Sequence, residues 1–142
     1  MDHPTLRQIV LDAVDARELA EFYRRLLGLR WRTGDEPPPP GAEDLAAHEW
    51  LALRDPAGRP VLAVQPVAEL PAVTWPTGPT PQMLHLDLTV PTTADLHRQH
   101  DRAIELGAHR LLDRSNDDQE PLFVFADPAG HPFCIFVAPE PE

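Results

Sequence analysis

A chain of 142 residues that writes the same turn twice, each time between two apolar runs, has few architectures open to it. "DPAGRPVLAV" spans Asp55 to Val64, and "DPAGHPFCIF" spans Asp127 to Phe136. The first turn joins "EWLALR" to "PVLAVQ", and the second joins "LFVFA" to "PFCIFV". Proline presets φ and glycine tolerates positive φ, so short β-prone runs on either side of such a turn predict a hairpin in both places. A repeat of this kind makes each half one supersecondary unit and governs the rest of the reading.

The pattern recurs upstream of each hairpin. "LRQIVLDAV" and "MLHLDLTV" both read as largely buried strands, and each is followed by a helix start. Asp15 with Glu18, and Thr92 with Asp95, have the spacing of a helix N-cap and its partner three residues on. Leu19, Phe22, Leu26 and Leu29 fall on one face of the first helix, with Arg17, Glu21, Arg24 and Arg25 largely on the other. Leu96, Ala103, Ile104 and Leu106 are expected to supply the buried side of the second. Both helices reach Leu-Gly, at Gly28 and Gly107, where glycine can close the C-terminus at positive φ. Each half is therefore strand, helix, strand, strand, strand. The expected fold is α+β, with module one at about 6–67, a proline-rich linker at about 68–82 and module two at about 83–138.

Composition narrows the partners. A formal net charge of −11 opposes binding to nucleic acid or to an anionic membrane surface. The 18 prolines concentrate in "EPPPPGAED" and "ELPAVTWPTGPTPQ", which read as loops because proline removes a backbone donor. No apolar run reaches the ~18 residues of a bilayer span, and "MDHPTLRQIV" lacks the basic start and apolar run of a signal peptide. Cys134 is the only cysteine, so no internal disulfide can form. A cytoplasmic protein whose partner is a small molecule is the expectation.

The segments "LRQIVLDAVDARELAEFYRRLLGLRW", "MLHLDLTV", "ELGAHRL" and "FADPAGHPFCIFV" resemble the vicinal oxygen chelate superfamily, which includes glyoxalase I, bleomycin-resistance proteins and extradiol dioxygenases. With the first hairpin they cover most of residues 6–138, and the likeness is greatest to its glyoxalase-like branch. The resemblance implies two βαβββ modules whose sheets curl around a shared cleft, usually in a homodimer. It does not fix the chemistry, since one scaffold hosts isomerases, dioxygenases, lyases, transferases and drug-binding proteins.

In metal-binding members of the superfamily, the first and last strands of each module contribute two His or Gln and two Glu. Carried over by motif, the first-strand positions fall on Gln8 and His85. The glutamate positions fall on Leu62 and Cys134. Gln65 lies three residues beyond Leu62, so a bulge would be needed to bring it to the same face. A cation there would have Gln8, His85 and a Cys134 thiolate, with no carboxylate. That donor set disfavours Mg²⁺ and Mn²⁺ and leaves a Zn²⁺ or Ni²⁺ site as the alternative to none. Cys134 also reads as a small apolar core residue, and His85 as a cleft-lining or satisfied core histidine. His97 and His100, three apart on the second helix, read as a solvated face before they read as a chelate.

Trp31, Trp50 and Trp75 stand at strand edges or in the linker, where the scaffold implies a cavity mouth. An aromatic, acidic cleft suits a planar or cationic guest, although Trp31 and Trp50 could equally fill the core. No residue is assigned a catalytic role: there is no Gly-rich phosphate loop, no Ser-His-Asp order, and no motif around the cysteine. The preferred reading is a glyoxalase-like protein that binds a small organic molecule and has lost the usual metal site. A metal-dependent lyase or isomerase and a drug-binding resistance protein are the alternatives.

Overall fold

The computed structural model describes residues 1–138, and within them the repeat is complete. The first unit, Met1–Leu70, runs β1 (Ile9–Ala13), α1 (Ala16–Leu27), β2 (Arg30–Trp31), β3 (Leu51–Arg54) and β4 (Pro60–Pro66), with a 3-10 turn at Ala46–His48. The second, from Pro71, runs β5 (Leu86–Val90), α2 (Thr93–Leu106), β6 (His109–Arg114), β7 (Leu122–Ala126) and β8 (Pro132–Val137). The two sheets have the same order, β1-β4-β3-β2 and β5-β8-β7-β6. In each, the first strand lies parallel to the last and the other pairings are antiparallel.

The duplicated turns carry the same hydrogen bonds. Asp55 N–H donates to Arg59 O at 2.8 Å and Gly58 N–H to Asp55 O at 2.9 Å, while Asp127 N–H and Gly130 N–H repeat both bonds at 2.9 Å. The aspartate side chains do the rest. Oδ1 of Asp55 accepts from the amides of Ala57 and Arg59, and Oδ1 of Asp127 accepts from those of Ala129 and His131. The aspartate, as much as the Pro-Gly pair, sets the turn.

Both helices are capped as their sequences require. Asp15 Oδ1 accepts from Glu18 N–H at 3.0 Å, and Thr92 Oγ1 accepts from Asp95 N–H at 3.1 Å. Helix α1 packs on β1, β3 and β4 through Leu19, Phe22, Tyr23 and Leu26, all buried. Helix α2 packs on β5 and β8 through Leu96 and Ala103. Ile104, expected inside, is 41% exposed. His100 takes that place, with its ring centroid 4.4 Å from Phe123 and 5.6 Å from Phe125. Positions 96, 100 and 103 fall within one helical stripe, whereas 104 lies about 80° round from 96. His100 is therefore a packed residue, not part of a solvated face, while His97 is exposed.

Loops expected to be plain connectors are tied down. In the first unit Asp35, 5% exposed, accepts from Ala52 N–H at 2.8 Å, and Arg17 binds both oxygens of Asp44 at 2.8 Å. In the proline-rich stretch, Thr74 N–H donates to Thr80 O at 2.7 Å and Thr80 N–H to Thr74 Oγ1 at 3.0 Å. Gly78 closes that loop at φ 145°, and a Cβ there would meet Thr74 at 2.5 Å.

One difference between the halves decides where side chains point. Along β7 and β8 the pairing is regular, with Phe125 opposite Phe133 and Val124 opposite Cys134. Along β3 and β4, Arg54 pairs with Pro60 but Leu53 pairs with Leu62, so Val61 is an extra residue in β4. The bulge moves every later residue of β4 to the opposite face. Leu62 is 3% exposed and pairs with Ile9 and Leu53 on the packed side, so the register equivalent of Cys134 is Ala63. The placement of Leu62 in a cleft is corrected accordingly. Gln65 pairs with Asp12 and, by alternation, shares a face with Ala63, which is the rearrangement it needed.

Candidate functional site

Chemically diverse side chains converge on the second sheet, on the face that α2 leaves uncovered. Leu86, Leu88, Phe133 and Ile135 share one face, where Phe133 and Ile135 are buried. Alternation sends Asp87 and Thr89 of β5, with Cys134 and Phe136 of β8, to the other, and His85, the residue before β5, lies beside Asp87. Asp87 and Cys134 are direct partners across the parallel ladder, and His85 lies two residues before Asp87.

One ligand atom from each of His85, Asp87 and Cys134 can be chosen so that all lie within 4.8 Å of one another. The His85 Nε2 to Asp87 Oδ1 distance is 3.1 Å. His85 and Asp87 are exposed and Cys134 is half-buried. Burial, reinforced by the negative charges of Asp87 and Glu120, pushes the Cys134 thiol up from its ordinary value. Unassisted, this sulfur is a protonated thiol and a poor nucleophile.

His85 and Cys134, expected with Gln8 and without a carboxylate, have a carboxylate beside them in the structure. Asp87 supplies it. The signal was present, since "HLD" on a strand puts its first and third residues side by side. Motif carry-over hid it, because Asp87 stands at none of the four expected positions.

The other candidates are distributed differently. Gln8, half-buried, precedes β1 and by alternation shares a face with Val10 and Asp12 in the first unit. Trp31 is half-buried, and the Arg17 guanidinium carbon lies 4.7 Å from its ring centroid, with that of Arg24 at 6.0 Å. Its face is engaged by cations of this chain. Trp50 is half-buried, and its backbone N–H donates to Ala46 O at 3.0 Å. Trp75 is half-buried in the proline-rich loop.

Set against known proteins, residues 8–136 match the glyoxalase-like domain. The chain belongs to the glyoxalase-like domain family, within the vicinal oxygen chelate superfamily. No curated protein is significantly similar to this glyoxalase-like chain in sequence. Among solved structures, a glyoxalase/dioxygenase from Nostoc punctiforme is 23% identical with a TM-score of 0.62, over 96% of this chain and 92% of that one. The fosfomycin resistance protein FosX from Listeria monocytogenes superimposes with a TM-score of 0.66 at 13% identity, over 96% of this chain and 94% of its own. A glyoxalase/bleomycin resistance protein/dioxygenase family enzyme from Burkholderia phytofirmans PsJN gives 0.63 at 14% identity, over 92% and 96%. These likenesses establish the fold. Among the described residues, no helix is long and apolar enough to cross a membrane.

For this glyoxalase-like domain, the metal set of its superfamily can be tested against the residues present. Neither Cys134 nor Ala63 is a carboxylate, so the oxygen-rich set that Mg²⁺ or Mn²⁺ needs is not met. The nitrogen, oxygen and sulfur donors of His85, Asp87 and Cys134 do suit Zn²⁺.

Proposed function

We propose that this glyoxalase-like protein binds a small organic molecule on the uncovered face of its second sheet, and that the usual two-glutamate metal site is degenerate. The observation that carries this reading is the composition of that face. His85, Asp87 and Thr89 are exposed, and Cys134 and Phe136 are half-buried, beside a sheet whose other face is packed. A few polar groups on an apolar floor are what a small-ligand site requires. The net charge of −11 favours a neutral or cationic guest over an anionic one. A homodimer in the cytoplasm is proposed as the setting.

The test is a titration of the protein with a panel of planar cationic and neutral compounds, read by tryptophan fluorescence and by calorimetry. Saturable binding at micromolar concentration is expected, weakened about tenfold by Phe136→Ala, which removes an aromatic contact of order 1–1.5 kcal/mol. If no compound of either class gives a saturable signal by either method, the reading fails.

A second reading, a metal-dependent lyase or isomerase, is favoured by the His85, Asp87 and Cys134 cluster. Retention of activity toward a hemithioacetal substrate after complete chelation would remove it.

A further inference from the structure

The superfamily pattern draws metal ligands from both modules and includes carboxylates at the last strands. The second unit of this chain offers a different arrangement. Asp87 on its first strand and His85, the residue before that strand, supply two donors rather than one, and its last strand supplies sulfur. We infer that the second unit holds a Zn²⁺ ion by itself, through a His85 ring nitrogen, the Asp87 carboxylate and the Cys134 thiolate, with no ligand from the first unit.

Three observations converge on this site. The Asp87–Cys134 ladder pair fixes two donors on adjacent strands without help from any loop. His85, the residue before β5, has its Nε2 3.1 Å from Asp87 Oδ1. The donor atoms already lie within 4.8 Å of one another, whereas tetrahedral zinc bonds of ~2.0–2.3 Å place ligand atoms about 3.5 Å apart. The remaining difference is within reach of side-chain rotation, because His85 and Asp87 are exposed. On coordination the Cys134 sulfur gives up its proton to solvent, and the three donors replace water molecules on the zinc. Three protein ligands leave one position exchangeable, and a zinc ion there would polarise an oxygen of a bound guest.

A simple surface ion pair between His85 and Asp87 would have no use for a sulfur at the same point. The inference does not depend on the organic ligand, since metal and guest are read by different signals. The experiment titrates the untagged full chain with Co²⁺, then displaces it with Zn²⁺. One equivalent of Co²⁺ is expected to give tetrahedral visible bands and a sulfur-to-cobalt charge-transfer band, both bleached by Zn²⁺. Cys134→Ser should abolish the charge-transfer band. His85→Ala and Asp87→Asn should each weaken Zn²⁺ binding about tenfold or more, with circular dichroism unchanged. Gln8→Ala should leave the Zn²⁺ affinity within about twofold. If the charge-transfer band never forms or survives Cys134→Ser, or if Gln8→Ala weakens binding as much as Asp87→Asn, the inference is overturned.

Discussion

Asp127 is 1% exposed and Asp55 is only half-buried, although both make the same pair of hydrogen bonds to turn amides. The two replacements should therefore differ in cost. Removing the acceptor at a buried turn leaves amides without water to replace it, at about 1–3 kcal/mol, whereas water can substitute at an exposed one. Asp127→Ala is expected to destabilise by about 2 kcal/mol and Asp55→Ala by under about 1 kcal/mol, measured by urea denaturation. Equal losses would show that burial does not set the strength of these bonds. At this scale the sequence was readable where a residue acts on its immediate neighbours, as Asp15 and Thr92 do. It was not readable where the partner is distant in the chain, as with Asp35 and Ala52 or Arg17 and Asp44.

The order of helices and strands in each half was legible, because it appears twice and each copy corroborates the other, although no run was assigned to the short strand after each helix. What the repeat could not reveal was register. Val61 looks like any residue of an apolar strand, and only its pairing shows that it is extra. The carry-over of Leu62 failed for that reason, since one inserted residue reverses every side chain that follows. The site suffered a different loss: carry-over by motif led to His85 and Cys134 and passed over Asp87, which stands at none of the positions the resemblance supplies. Helix α2 offers a test of the facing it adopts. Leu96→Ala is expected to cost about 3 kcal/mol, because a buried leucine leaves a cavity. Ile104→Ala, at a position 41% exposed, should cost under about 1 kcal/mol in the same denaturation assay. If Ile104 proves the more costly, the helix is rotated from the orientation described.

Across the whole molecule, carboxylates in both units sit beside donors that favour their charged form. The Arg24 guanidinium lowers Glu21 and the Arg17 guanidinium lowers Asp44, while Ser115 lowers Asp113 and backbone amides of Glu120 and Gln119 lower Asp117. A lowered folded value means that the unfolded chain binds more protons in acid. Stability from these groups is complete above the ordinary carboxylate range of roughly 4 and is lost as pH falls through the depressed folded values. Melting temperature should thus fall between about pH 5 and pH 3, and Arg17→Gln should make that fall shallower. A melting temperature that rises on acidification would show that relief of the −11 charge outweighs these local contacts.

The stacking of Arg17 on Trp31 has an optical corollary. The guanidinium over this indole is held in place by Asp44, so the surroundings of the ring depend on that ion pair. Clipping Arg17 to alanine would uncover the sheltered ring and shift its light toward the red.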